Sequence, residues 1–227
     1  MSRLLLLLLI FSACCDLVNA QQNIVFKPIF EKQELILEKE YPLHSGAKVQ
    51  FEKLRFYISN LRLLYKGKAV FTEANSFHLI DVVDTLTMQL RLNTPRNIVF
   101  NLVSFNLGID SITNVSGALG GDLDPTKGMY WTWQSGYISF MLEGTSPICP
   151  TRNHQFQFHL GGYNGANNAL QTVILDVQQS QTISIEFDVV RWLSKIDLST
   201  DNHIMSPSAT AVSLAKHAAD CFIISSK

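Results

Sequence analysis

Hydrophobic residues in this chain recur at every second position far more often than at every third or fourth. Ile183, Ile185, Phe187 and Val189 alternate with Thr182, Ser184, Glu186 and Asp188, the pattern of a strand with one buried and one solvated face. Phe156, Phe158 and Leu160 alternate in the same way with Gln155, Gln157 and His159. Further strands are predicted over residues 24–30, 49–64, 70–71, 77–83, 98–107, 138–142 and 170–177, and Tyr65-Lys66-Gly67-Lys68 reads as a hairpin turn. A helical period appears only late. Ala211, Leu214, Ala215 and Ala218 form one stripe behind Ser208, a suitable N-cap, and 190–196 has room for a shorter turn of helix. Many strands separated by turns, with one short C-terminal helix, predict an all-β fold, an antiparallel β-sandwich or barrel-like domain.

The first twenty residues stand apart from this pattern. Arg3 precedes the apolar run Leu4–Ile10, and the segment ends in small residues at Ala20. The run is far shorter than the ~20 residues of a membrane span, so residues 1–20 read as a secretory signal peptide and 21–227 as one exported β domain. A second reading takes Phe11-Ser12-Ala13-Cys14 as a lipobox, with Cys14 carrying a lipid anchor at the outer membrane. Either reading places the protein in the periplasm or outside the cell. No other segment is long and apolar enough to span a bilayer, and the chain is expected to be monomeric. The formal net charge is −1, without Lys/Arg clusters, which argues against a nucleic-acid partner.

Removing the leader leaves two cysteines, Cys149 and Cys221. In an oxidising compartment they are expected to pair, closing a loop of about 70 residues for roughly 4 kcal/mol in the chain-entropy account. Enzyme signatures are missing: there is no Gly-x-Ser-x-Gly elbow, phosphate-binding loop or His-Glu-x-x-His pair. Asp110, Asp122 and Asp124 lack the spacing of a calcium loop and read as turn residues. The chain is therefore expected to be non-catalytic.

Two elements carry distinctive chemistry. In Gly128-Met129-Tyr130-Trp131-Thr132-Trp133-Gln134-Ser135-Gly136, Trp131 and Trp133 lie one residue apart, so an extended backbone would set them side by side. The six histidines, His44, His78, His154, His159, His203 and His217, show no i, i+2 or i, i+4 pair. A metal site would have to be assembled by the fold. His159 stands out because it lies on the polar side of its strand, whereas His78 sits within an apolar run and reads first as a structural histidine.

The tryptophan block is preceded by Leu123-Asp124-Pro125 and followed by Tyr137-Ile138-Ser139-Phe140-Met141-Leu142-Glu143-Gly144. Phe156-Gln157-Phe158-His159-Leu160-Gly161-Gly162 comes later, and Arg55-Phe56-Tyr57-Ile58-Ser59-Asn60-Leu61-Arg62-Leu63 lies upstream. This ordered set resembles the MbnP-like family of exported copper-binding proteins, relatives of the MopE and CorA proteins. The resemblance implies a copper ion held by two imidazoles and a tryptophan oxidised to kynurenine by a MauG-like di-haem peroxidase. By position it implies Trp131 or Trp133 as the oxidised residue and His159 as one imidazole; the second imidazole is expected at His78 or, next, at His203 beside Met205. Copper-binding members contain or adjoin a histidine at the tryptophan block, where this chain has Met129 and Tyr130. The second reading is accordingly a surface-binding module that uses the Trp131/Trp133 face.

Overall fold

The computed structural model describes residues 19–225 except His44 and Ser135. The leader, with the lipobox reading at Cys14, and His44 thus lie outside the described residues, apart from Asn19 and Ala20, which open the first strand. The strands are β1 (Asn19–Phe30), β2 (Gln33–Glu34), β3 (Glu40–Pro42), β4 (Lys48–Tyr65), β5 (Lys68–Thr72), β6 (Phe77–Asp81), β7 (Gln89–Pro95) and β8 (Leu102–Leu107). They continue as β9 (Tyr130–Trp131), β10 (Gly136–Thr145), β11 (Gln155–Gly161), β12 (Gln171–Asp176), β13 (Thr182–Asp188), β14 (His203–Ile204) and β15 (Phe222–Ile224). Three short helices accompany them: α1 (Ser111–Val115), α2 (Val189–Leu193) and α3 (Ala209–Ala219).

Two sheets form the domain. The smaller runs β15-β13-β1-β2 with β7 beside β1; the larger runs β12-β8-β4-β10-β11-β14, with β3, β5 and β6 on β4 and β9 on β10. The all-β expectation holds, with two departures. The pairs β1/β13 and β11/β14 are parallel, because their members are distant in sequence and no hairpin joins them. The strand β7 was not anticipated, although buried Leu90, Leu92 and Thr94 alternate there with exposed Gln89, Arg91 and Asn93. Conversely, residues 98–101 do not join β8.

Between the sheets lies a lattice of aromatic rings. Phe26 and Phe187 from the small sheet meet Phe56, Phe105 and Phe140 from the large one, and Phe222 contacts four of these five at centroid separations of 5.0–6.3 Å. Tilted and edge-on contacts of this kind add to the large apolar area each ring removes from water. Trp192 of α2 closes one side against Phe140 and Phe158, and its indole Nε1–H donates to Leu214 O of α3. The helix α3 starts where its sequence pattern places it: the Ser208 side chain accepts from Ala211 N, and Ala211, Leu214, Ala215 and Ala218 are all buried.

Cys149 and Cys221 are both buried free thiols, so the expected disulfide is not formed. Each occupies a separate niche: Cys149 follows β10 and its carbonyl accepts from His154 Nδ1, while the Cys221 thiol donates to His217 O at 3.1 Å just beyond α3. Burial pushes the Cys221 thiol up to about 12, so the nucleophilic thiolate is scarce and the niche protects it from oxidation. Thiol labelling of unreduced, denatured protein comprising residues 21–227 should give two labelled cysteines; none would restore the crosslink.

Bends in β10 are bought with glycine. A Cβ on Gly144 would lie 2.1 Å from Gln50 O and 2.6 Å from Phe156 Cζ, beside the register shift between β10 and β4. Gly144→Ala should therefore cost about 2–3 kcal/mol of unfolding free energy, read from urea denaturation, and an unchanged midpoint would show that β4 yields freely.

Candidate metal centre

Strand pairing decides which side chains meet on the outer face of the large sheet. His159 of β11 is in register with Met141 of β10, Met141 with Arg55 of β4, and Arg55 with Asp81 of β6. One row away stand Gln157, Glu143 and Lys53, and His203 of β14 pairs with Gln157. Partners in register project to one side, so His159, Glu143 and His203 share a face, opposite the Phe156/Phe158/Leu160 core. His78 pairs with Ile58 and has the parity of Ile58 and Ile80, on the core side. The structure therefore does not bring His78 to His159. Instead, His78 Nε2 meets Glu73 Oε2 at 2.7 Å.

His159 is 93% shielded from solvent (7% exposed) and is held by Glu143: Nε2 lies 2.6 Å from Glu143 Oε1, and Lys53 Nζ lies 2.8 Å from the other carboxylate oxygen. The hydrogen bond from His159 holds the Glu143 carboxyl down at about 2, with Lys53 adding to it, against the opposing effect of burial. An ionised Glu143 accepts from Nε2–H, so in the neutral ring Nδ1 carries the free lone pair. A carboxylate that orients an imidazole in this way is the usual support of a metal-binding histidine.

The tryptophan block is less extended than its spacing suggests. The strand β9 ends at Trp131, and Thr132–Gln134 turn back toward β10. The rings are nonetheless neighbours, with centroids 5.9 Å apart; Trp131 is 6% exposed and Trp133 63%. Trp131 lies over Gly161, where a Cβ would stand 2.8 Å from Cζ3. Gly161 is two residues beyond His159, so Trp131 and His159 occupy the same face of β11. The buried Trp131 Nε1 has no hydrogen-bond partner, and a buried orphan donor marks a place where something further is required or where strain is stored.

The wall of the site is built by the segment 110–129, which folds over the outer face. Tyr57 donates to Asp122 O, Tyr137 donates to Leu123 O, and Asp122 accepts from Leu79 N and pairs with Lys127. Asp110 and Asp124 cap short helical turns, as turn residues should. Leu123, Met129, Trp131, Tyr137, Ile138 and Met141 thereby form a second apolar cluster with Tyr57 and Leu79. Sequence reasoning missed the contributions of Glu143 and Gly161; the i, i+2 relation of Gly161 to His159 was the available signal.

His154 and His217 are engaged with backbone carbonyls away from this face. Among the described residues no three His, Cys, Asp or Glu side chains cluster to hold a metal. His159, braced by Glu143, and His203 lie on the outer face, with the orphan indole N–H of Trp131 on the His159 side.

A β-sandwich with this outer-face site defines a class, and the sequence assigns it. Residues 19–206 match the family model of MbnP, and the chain belongs to that family. The solved structure of MbnP from Methylosinus trichosporium is similar, with a TM-score of 0.68 and 16% sequence identity, covering 86% of this chain and 87% of that one; at that identity the likeness is one of fold. No curated protein matches the chain.

The Glu143 pair has a defined acid signature. Because its carboxyl lies at about 2 instead of 4.5, its stabilisation is fully present above about pH 4.5 and is lost as pH falls toward 2. Glu143→Gln should lower stability by about 2 kcal/mol at pH 7 and flatten the decline in that acid range; urea unfolding at pH 7, 4 and 3 measures both. Equal acid slopes in the two proteins would remove the pair from this role.

Proposed function

We propose that this MbnP-family protein is exported and holds one copper ion on the outer face of its large sheet, in copper handling or sensing, without turnover of its own. His159 and His203 are the imidazole ligands, and Trp131 is the tryptophan that a MauG-like di-haem peroxidase would oxidise. The observation that carries this reading is the convergence of His159, braced through Glu143 with Nδ1 free, and the orphan Nε1 of Trp131 on one face of β11. Copper supplies Lewis acidity and strong imidazole binding, and the chain's part is to fix the rings and shield them. Oxidation of Trp131 would place a new carbonyl and aniline nitrogen next to His159.

The test is a titration with copper against a competing chelator. His203→Ala, at an exposed strand position, should leave the fold intact and weaken copper binding by about tenfold or more, and His159→Gln should abolish tight binding. Co-expression with a di-haem peroxidase should shift the peptide carrying Trp131 and Trp133 to the mass of kynurenine. Unchanged affinity in both variants would remove copper from this face. The 63% exposure of Trp133 supports the second reading, an aromatic face that meets a glycan or protein, and that reading would then stand.

A further inference from the structure

Where α2 packs on the domain, the chain forms an apolar cleft of about 450 Å³, a volume within the range of small-molecule sites. Three segments remote in sequence build it: the end of β1 with Phe30 and Glu31, the loop after β10 with Ile148, and the end of α2 with the turn beyond it, bringing Leu193, Asp197 and Leu198. None of the lining residues belongs to the candidate metal centre. Phe30, Leu193 and Leu198 are buried and form the floor, whereas Ile148 is 37% exposed and stands at the mouth. An open cleft with such walls keeps apolar surface in contact with water, so a hydrocarbon group that displaces the water is favoured.

The charge at this cleft has one sign. Glu31 and Asp197 are exposed residues of its lining, and no lysine or arginine lines it, although Lys32 and Lys195 are close in sequence. Among the described residues neither carboxylate is in an ion pair. Asp197 Oδ1 accepts from the Ser199 hydroxyl at 2.6 Å and from its backbone N–H at 2.9 Å. Those bonds hold the Asp197 carboxyl below its usual range and leave Oδ2 for a further donor. We propose that the cleft binds an alkylammonium amphiphile, its hydrocarbon chain on Phe30, Leu193 and Leu198 and its ammonium at the Glu31 and Asp197 carboxylates. An alkyl carboxylate of equal length fills the same apolar space but meets like charge, and an alcohol fills it without the attraction. The proposal does not depend on the copper reading.

The experiment titrates the purified protein at pH 7 with n-hexylammonium, hexanoate and 1-hexanol by calorimetry. Hexylammonium should bind one to one and about tenfold more tightly than hexanol, with hexanoate weaker still. The double variant Glu31→Gln/Asp197→Asn changes only exposed rim positions and keeps the Oδ1 acceptor for Ser199. It should weaken hexylammonium binding about tenfold and leave hexanol binding unchanged. Ile148→Trp, which narrows the mouth, should weaken the binding of hexylammonium and hexanol alike. No binding of hexylammonium at millimolar concentration, equal affinities for the three compounds, or hexylammonium binding unchanged in either variant would overturn the assignment.

Discussion

The packing of Phe26, Phe56, Phe140, Phe187 and Phe222 between the sheets is the constraint on which the outer face depends. Side chains alternate along a strand, so a one-residue slip would exchange every inward ring for an outward residue. Fixing Phe56 against Phe140 across β4 and β10 therefore fixes Arg55, Met141 and His159 on the other side. The cost of burying a misplaced charge or exposing several phenyl rings, at about 25 cal/mol per Å² of apolar surface, keeps that register single. The site inherits its geometry from a core it never touches.

The large sheet is unusual in having both faces covered at its centre. The segment that crosses the outer face uses polar anchors, because its backbone would otherwise be buried without partners. Asp122 satisfies Leu79 N, and Asn114 satisfies Tyr137 N at 2.8 Å while donating to Ile109 O. These bonds let the crossing segment seat Leu123 and Met129 over Tyr57 and Leu79. On the same face Glu143 and His159 are each only 9% exposed at the side chain, and such a pair is tolerated because Lys53 and the imidazole compensate the carboxylate. Removing one member would leave an uncompensated buried group, which costs far more than the intact pair contributes.

The outer face sets a carboxylate-braced histidine against a wall of aromatic and apolar side chains. On the copper reading proposed above, a histidine held rigid by a carboxylate would contribute affinity through preorganisation.

Much of this protein was legible in its sequence because strand alternation and the helix stripe are local. The buried sides of β11, β13 and α3 can be read from Phe156/Phe158/Leu160, Ile183/Ile185/Phe187 and Ala211/Leu214/Ala215/Ala218, and the tryptophan block with its flanking motifs pointed to the MbnP family. Pairing is a different matter. Nothing near Gln22 announces that β1 runs parallel to β13, so that its side chain donates to Ser180 O 158 residues further on, and nothing near His159 tells whether His78 or His203 shares its face. Both histidines have suitable chemistry, and only the registers of β6 and β14 send one to the core side and the other to the outer face. Cysteine arithmetic failed for the same reason: two thiols left over in a sequence pair only if the fold brings their niches together. Local periodicity determined which residues are inside; long-range register, set by the aromatic layer, decided which of the remaining polar residues meet.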